Sequence, residues 1–261
     1  MDLADVRVCI LRAGGTNCDL EVKVALEELG LKAEVLHMSQ LKMRNLFSFH
    51  MLVFPGGFSY GDYVRAGAIW GKEIYAKLGR EIDLFVEDGR MVLGICNGFQ
   101  VLVEAGLLPG NSVEGVPTAV LANNASAKYE CRWVHLKAEG SRTPFVGALK
   151  PKDVLHVPIG HGEGRFLLPG EDDLKELIRE KQIVFRYAMP NGDYAEGRYP
   201  CNPNGALRDI AAICNRKGNV MGMMPHPERA FFGWQLPDPE PERHGDGYKI
   251  LKGAVEYLEK F

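Results

Sequence analysis

Residues 91–103, with the sequence MVLGICNGFQVLV, decide how the fold of this chain is predicted. The segment starts as an apolar run typical of a buried strand and continues with apolar residues at helical spacing. Between the two patterns, Cys96 stands two residues after Gly94 and two before Gly98, the spacing of a tight strand-to-helix turn that carries a nucleophile. This spacing predicts that the Cys96 sulfur is presented at the carboxyl end of a strand. The alternative is that Cys96, like most free cysteines, is a buried apolar residue.

The segments on the N-terminal side of this turn alternate between strand and helix. Apolar runs at Val6–Leu11, Leu31–His37 and Met51–Phe54 predict three strands, and helical patterns separate them. We therefore expect an α/β fold with an open, mostly parallel, doubly wound sheet and right-handed crossovers. The sequence contains neither a G-x-G-x-x-G dinucleotide fingerprint nor a Walker-type phosphate loop, so no NAD or ATP site is visible in it.

The chain beyond Gly106 has a different pattern. Residues 112–137 and 154–159 contain β-branched and aromatic runs without intervening helices, which predicts a largely antiparallel β extension packed beside the parallel sheet. An irregular loop rich in proline and acidic residues is expected at 231–247, and residues 1–261 are expected to form a single domain. The remaining predicted elements are helices at 66–88, 171–180 and 248–261 and strands at 183–188, 210–213 and 220–224.

Composition limits the classes of function. The chain has 46% hydrophobic and 25% charged residues, as ordinary globular proteins do, and its net charge of −3 offers no electrostatic attraction to nucleic acid or to an anionic membrane. No apolar run approaches the ~18 residues of a membrane helix, and the acidic start of the chain lacks the layout of a signal peptide. We therefore expect a cytoplasmic protein that binds neither nucleic acid nor a membrane.

The six cysteines stand at positions 9, 18, 96, 131, 201 and 214, without a Cys-x-x-Cys pair or a compact His/Cys cluster. This pattern argues against a zinc site and against a disulfide framework, so we expect no metal in this chain. Cys18 precedes a predicted helix, where a thiol can be somewhat acidified. A packing role is nevertheless the interpretation that we favour for Cys18.

Two glycine-rich loops are candidates to surround the nucleophile. Gly56 and Gly57 follow the third predicted strand, at the sheet edge where open α/β proteins bind ligands. Beside Cys96 this loop offers a second N–H donor for acyl transfer, whereas on its own it is an ordinary Pro-Gly-Gly turn. Residues 160–166, with the sequence GHGEGRF, alternate glycine with polar residues, and a solvated turn explains them as well as a binding site does.

The last predicted strand leads into Pro225-His226-Pro227-Glu228. The flanking prolines keep His226 extended, and in an extended segment residues two apart point the same way. A carboxylate beside an imidazole holds its tautomer and stabilises the imidazolium, so the pair could serve as a base and its orienting group. A lone His-x-Glu is more often a surface pair. The zinc deaminase signature that contains His-x-Glu lacks its Pro-Cys-x-x-Cys partner here.

Taken together, these motifs resemble the class I, Cys-His-Glu glutamine amidotransferases. Within that class the chain is most similar to the glutaminase subunits of phosphoribosylformylglycinamidine synthase, from de novo purine synthesis. It departs from their pattern at Ala206, where these subunits usually have serine. The matching stretches are Gly15–Asp19, Pro55–Asp62, Leu93–Gln100, His161–Phe166, Asn202–Gly205 and Pro225–Arg229.

The resemblance implies a flavodoxin-like amidotransferase fold and a role for each matched residue. Cys96 would attack the carboxamide of glutamine and form a thioester, with His226 as acid and base and Glu228 as its orienting group. The backbone N–H groups of Gly57 and Asn97 would form the oxyanion hole. The residues expected to contact the glutamine substrate are Gln100, Gly56, His161 and Gly162.

The resemblance also implies partners. The freed ammonia would pass to a synthetase large subunit that acts on formylglycinamide ribonucleotide, with a small accessory subunit as a further candidate. ATP and magnesium are expected on the synthetase, and no cofactor in this chain. The alternatives are a glutaminase for another synthetase, a γ-glutamyl hydrolase, and a non-catalytic binding module on the same fold, in which Cys96 would be no more reactive than Cys9.

Overall fold

The computed structural model describes residues 2–41, 46–110, 115–150 and 153–261. Its N-terminal half alternates strand and helix as predicted. Residues 42–45 of the short polar region before the third strand, and residues 112–114 of the predicted β extension, lie outside the described residues. The elements of this half are β1 (Arg7–Arg12), α1 (Asp19–Glu28), β2 (Lys32–His37), α2 (Met38–Leu41), β3 (Met51–Phe54), α3 (Ala68–Glu87), β4 (Met91–Ile95) and α4 (Asn97–Glu104).

The C-terminal half consists mainly of strands. Segment 231–247, predicted to be irregular, contains a 3₁₀ turn at Gly233–Gln235 and an isolated bridge between Phe232 and His244. None of the helices in the described parts of the chain combines the length and the apolar character needed to cross a membrane. The elements are β5 (Val120–Ala122), β6 (Glu130–Ala138), β7 (Val154–His161), β8 (Arg165–Leu167), α5 (Glu171–Arg179), β9 (Ile183–Ala188), β10 (Ile210–Cys214), β11 (Val220–Met223) and α6 (Asp246–Leu258).

Nine of these strands form one sheet in the order β2-β1-β3-β4-β11-β10-β9-β6-β7. The first five are parallel neighbours, which confirms the predicted mostly parallel sheet. The predicted antiparallel β extension is confirmed, and its strands β6 and β7 continue this sheet through β9 and β10. The physical reason is that the free edge of β11 carries unpaired backbone N–H and C=O groups, which β10 satisfies. A separate pair is formed by β5 and β8.

The middle of the sheet is buried on both faces. Every residue of β3, β4, β10 and β11 is buried, which explains why these strands are continuous apolar runs in the sequence. At the carboxyl end of β3, the ring of Phe54 lies 5.5 Å from the ring of Trp70 in α3. Phe99 of α4 stacks on Phe166 of β8 at 6.3 Å. The turn between β4 and α4 is therefore anchored in the core on both sides.

That turn requires its glycines because backbone approaches backbone. Cys96 has φ 51° and ψ −106°, a conformation that side chains with a Cβ rarely adopt, and α4 begins at the next residue. A Cβ added to Gly98 would lie 1.8 Å from the carbonyl oxygen of Phe54. A Cβ added to Gly94 would lie 2.6 Å from the carbonyl oxygen of Gly98. The position of the Cys96 sulfur thus depends on backbone contacts at Gly94 and Gly98 that leave no room for a side chain at either position.

We expect Gly98→Ala to lower the free energy of unfolding by about 2 kcal/mol or more, because the new methyl group forces α4 away from β3. Chemical denaturation measures this change. The control is Gly140→Ala, since a Cβ at Gly140 meets nothing within 4 Å, and its effect should stay within about 0.5 kcal/mol. Equal stability of the two variants would contradict the close packing at the turn.

Candidate active site

Three loops meet at one edge of the sheet because β3, β4 and β11 are adjacent and parallel. Gly57 follows β3, Cys96 follows β4, and His226 follows β11. The carboxyl ends of parallel neighbours lie side by side, so residues far apart in the sequence become neighbours here. The N–H of His226 also donates to the carbonyl oxygen of Pro158 in β7, at 2.9 Å, which ties this loop to the antiparallel part of the sheet.

Cys96 opens onto a cavity of about 210 Å³. Its side chain is 5% exposed, and its thiol lies 3.5 Å from the carbonyl oxygen of Gly160. Among the residues predicted to contact substrate, Gln100, His161 and Gly162 line this cavity. The full lining consists of Gly57, Phe58, Asp62, Ala66, Cys96, Gln100, Tyr129, Gly160, His161, Gly162 and Glu163.

His226 and Glu228 form a buried pair. Nδ1 of His226 lies 2.6 Å from Oε1 of Glu228, and the two residues are 3% and 1% exposed. Burial by itself lowers the pKa of His226, but the negative charges of Glu228 and Cys96 and hydrogen bonds with the thiols of Cys18 and Cys96 outweigh it. The pKa of His226 therefore lies well above its ordinary value. An imidazolium in contact with the Cys96 thiol is the arrangement that activates a cysteine nucleophile.

The two predicted oxyanion donors have N–H groups outside the regular hydrogen bonding. Asn97 is the first residue of α4, so its N–H has no intrahelical acceptor. The N–H of Asn17 donates to the carbonyl oxygen of Gly56, and the N–H of Phe58 donates to the carbonyl oxygen of Gly15. These two hydrogen bonds form the isolated bridge between Thr16 and Gly57, and the N–H of Gly57 takes part in neither of them. Gly57 has φ 145°, a conformation that favours glycine. Gly57 lines the cavity and Asn97 does not, so their joint role as oxyanion donors stays a prediction.

The side chains around Gln100 form a network. The carboxamide oxygen of Gln100 accepts from Asn97 at 2.9 Å, and its nitrogen donates to the carbonyl oxygen of Glu163.

His161 is a buried imidazole in the lining of the cavity. Its Nδ1 forms a hydrogen bond with Oδ1 of Asn124 at 3.1 Å. Burial lowers the pKa of His161 to about 3, and the charge of His226 adds to this effect. His161 is therefore a neutral imidazole in this site.

Gly56 does not line the cavity, although we expected it to contact substrate. It lies under the imidazole instead, where an added Cβ would be 2.8 Å from Cε1 of His226 and 3.1 Å from Sγ of Cys18. The second glycine of the pair reaches the cavity and the first is turned away, since successive residues of an extended segment face opposite sides. Gly56 thus provides space for the His226 ring.

Two carboxylates in the cavity were not singled out by the sequence analysis. Asp62 and Glu163 both line it. Burial, followed by the charge of Glu163, raises the pKa of Asp62 to about 6, while a hydrogen bond from Asn97 at 3.3 Å opposes this rise. Both residues stand in stretches that carried the resemblance, and an acidic residue within a glycine-rich loop was the available signal. Two neighbouring carboxylates in one cavity favour a cationic ligand group.

Cys18 was predicted to be a packing residue, yet it lies against the candidate triad. Cys18, His226 and Glu228 place potential ligand atoms within 4.8 Å of one another. In the described parts of the chain this is the one group of three or more residues that could hold a metal ion. The absence of a metal remains a prediction. The local sequence could not predict that Cys18 lies beside His226, because 208 positions separate the two residues.

Residues 5–258 match the family model described as a CobB/CobQ-like glutamine amidotransferase domain. The chain belongs to this family. The match confirms the predicted resemblance to glutamine amidotransferases. It also gives the cavity beside Cys96 a class of chemistry, since amidotransferase domains are named for the transfer of an amide nitrogen.

Similar proteins refine this placement within the glutamine amidotransferases. The chain is 46% identical to "phosphoribosylformylglycinamidine synthase subunit PurQ" of Archaeoglobus fulgidus, covering 100% of both chains. It is 40% identical to the protein of the same name from Pyrococcus furiosus, over 97% of this chain and 99% of that one. Among solved structures, PurLQS from Thermotoga maritima contains a chain with a TM-score of 0.75 and 33% identity, covering 97% of this chain and 99% of that one.

We expect Glu228→Gln to lower the pKa of His226 by about one unit or more, because the neutral amide no longer stabilises the imidazolium. Nuclear magnetic resonance of the full chain with ¹⁵N-labelled histidine follows this titration. Glu196→Gln, a change at an exposed carboxylate that does not line the cavity, is the control and should leave the value unchanged. An unaltered titration in Glu228→Gln would remove Glu228 from its role as the charge partner of His226.

Proposed function

We propose that this chain is the glutaminase subunit of a phosphoribosylformylglycinamidine synthase. It hydrolyses glutamine to glutamate and ammonia, and a synthetase subunit uses the ammonia and ATP to convert formylglycinamide ribonucleotide to formylglycinamidine ribonucleotide. The observation that carries the proposal is the pairing of Cys96 with the buried His226–Glu228 pair at one edge of the sheet. Full-length relatives named as the PurQ subunit of this synthase support the choice of reaction.

The first half of the reaction acylates Cys96. The Cys96 thiolate forms a bond to the carboxamide carbon of glutamine, and the oxygen of the resulting tetrahedral intermediate lies between the N–H groups of Gly57 and Asn97. Each such donor typically lowers the barrier by ~3 kcal/mol. His226, charged at the start, gives its proton to the amide nitrogen. The carbon–nitrogen bond breaks, ammonia leaves, and a γ-glutamyl thioester remains on Cys96.

The second half hydrolyses the thioester. His226, now neutral, takes a proton from a water molecule, and the water oxygen attacks the thioester carbon. The bond to the Cys96 sulfur breaks, glutamate leaves, and the sulfur returns as a thiolate beside the imidazolium. Glu228 keeps Nδ1 protonated throughout, so that Nε2 faces the reacting groups.

The polar groups of the cavity suit the α-amino end of glutamine. Asp62 and Glu163 repel one another when both are ionised, and an ammonium group between them would relieve this repulsion. Gln100 is linked to both acidic residues, because its carboxamide donates to the carbonyl oxygen of Glu163 and accepts from Asn97, which in turn donates to Asp62. A ligand with a cation at one end and a carboxamide at the other fits this distribution of charge.

The partners follow from the same proposal. We expect a synthetase large subunit, with a small accessory subunit as a further candidate, and the name PurLQS of the Thermotoga maritima structure is in keeping with a multi-component assembly. ATP and magnesium belong to the synthetase in this scheme, and this chain uses no cofactor. We further propose that residues 1–261 form a single amidotransferase domain, since one sheet takes strands from both halves of the chain, and that the enzyme works in the cytoplasm.

We expect Cys96→Ala to abolish product formation from glutamine in the assembled complex and to leave product formation from added ammonium unchanged. The reason is that only the glutaminase step needs the sulfur. Both rates are measured with the synthetase, ATP and formylglycinamide ribonucleotide. Cys201→Ala, a thiol that does not line the cavity, is the matched control. Full glutamine-dependent activity in Cys96→Ala would refute the proposal, and loss of the ammonium-dependent rate would refute the division of labour.

We expect Glu163→Gln to raise KM for glutamine about tenfold with a small effect on kcat, because a charge that binds the α-ammonium group is lost. In the wild type, kcat/KM should fall as the pH drops through about 6, where Asp62 becomes neutral. Without the charge of Glu163 the pKa of Asp62 is lower, so this decline should move to lower pH. An unchanged KM and pH profile would exclude the carboxylates from substrate binding. Glu196→Gln again serves as control.

A further inference from the structure

Cys18 is a second thiol in contact with the candidate catalytic imidazole. It directly precedes α1 and is 2% exposed. Its Sγ lies within 4.8 Å of a ring nitrogen of His226 and donates to Oδ1 of Asn17 at 3.2 Å. Gly56 brings the two groups together, because only the absence of a Cβ lets the ring and this sulfur share the space above it. His226 therefore has thiol neighbours from two different loops.

The position of Cys18 is fixed by a chain of polar contacts. Nη2 of Arg229 donates to Sγ of Cys18 at 3.3 Å. The same guanidinium donates through Nε to Oε2 of Glu21 at 2.9 Å. Glu21 lies on α1, one turn after Cys18, and Arg229 follows the His226 loop, so the contacts connect both segments. This sulfur is anchored as a positioned group and not as a loose packing atom.

Cys18 remains a neutral thiol beside the imidazole. Burial raises its pKa more than the hydrogen bond to His226 lowers it, and the charge of Glu228 raises it further. The Cys18 thiol therefore does not supply the negative charge of an ion pair with His226. The titratable groups that face His226 from the surrounding elements are Cys18, Cys96, Tyr129, His161, Glu228 and Arg229.

The two halves of the proposed reaction place different demands on the imidazole. During acylation His226 is held by Glu228 and by the charged Cys96 sulfur. Once the thioester has formed, the Cys96 sulfur carries no charge, so its attraction for the His226 imidazole is weaker. The contacts that persist among the described residues are Glu228 at Nδ1 and the thiol of Cys18. Deacylation nevertheless needs the ring to stay aimed at the attacking water.

We propose that Cys18 is a positioning residue that holds the His226 imidazole in place while Cys96 carries the γ-glutamyl group. The proposal rests on the proposed glutaminase function. It assigns Cys18 to the second half-reaction, through His226 and without contact with the substrate. Arg229 and Glu21 act behind it by keeping the thiol against the ring.

The kinetic test uses Cys18→Ala in the assembled complex. We expect kcat for glutamine hydrolysis to fall about fivefold, as for one lost polar contact, while kcat/KM stays within about twofold of wild type. The thioester should then accumulate, and mass spectrometry of the acid-quenched intact chain detects it. Cys18→Ser, which keeps a hydrogen-bonding group, should restore kcat. Cys214→Ala removes another buried, hydrogen-bonded thiol and should leave the kinetics unchanged.

A second measurement does not depend on turnover. Histidine titration by nuclear magnetic resonance of the full chain should show a lower pKa of His226 in Cys18→Ala and a wild-type value in Cys214→Ala. An equal fall of kcat and kcat/KM without thioester accumulation, or an unaltered titration of His226, overturns the role of Cys18. If the wild-type complex makes no glutamate, the proposed function fails, and the titration alone decides whether Cys18 holds the imidazole.

Discussion

The close approach of Gly98 to the carbonyl group of Phe54 is the constraint on which the site depends. It brings the start of α4 against the end of β3 and leaves Cys96 between them with a positive φ. Such a conformation costs about 1–3 kcal/mol and persists only when the surroundings enforce it. Here the enforcing parts are strands and a helix that are buried throughout. The sulfur, the N–H of Asn97 and the loop of Gly57 consequently have one fixed relation to each other.

The second requirement is a charged imidazole in a buried place. Desolvation opposes the charge of His226, and a buried carboxylate without a partner would be unstable as well. The two residues solve the problem together, since each provides the charge that the other needs. A positive charge on His226 therefore lies near the Cys96 thiol, where an acyl-transfer site needs it to stabilise negative charge. Neutral His161 shows the opposite case, because that buried ring has no carboxylate partner in the described residues and stays uncharged.

The cavity combines a nucleophile with acidic and aromatic side chains. Its lining includes the Cys96 sulfur, the Gly57 loop and the carboxylates of Asp62 and Glu163. Phe58 and Tyr129, whose rings lie 6.4 Å apart, are the aromatic residues of its lining. Both are partly exposed, so they stand where the cavity meets the surface.

Much of this could be predicted from the sequence because it is set by short-range spacing. The glycines around Cys96 determine a tight turn, alternating apolar runs determine strand and helix, and the prolines around His226 keep it extended beside Glu228. The family resemblance added the assignment of Gly57 and Asn97, whose place in the reaction remains a proposal. What could not be predicted involves residues from separate strands. The addition of β10 to the edge of β11, the pairing of Asp62 with Glu163, the contact of Cys18 with His226, and the turn of Gly56 away from the cavity all belong to that class.

Local spacing thus determined which groups this chain presents at the ends of its strands, since backbone geometry in a turn depends on a few neighbouring residues. Only the tertiary structure decided which of those groups touch. That outcome depends on the order of strands in the sheet, and the order is set by hydrogen bonding between edges that are far apart in the chain.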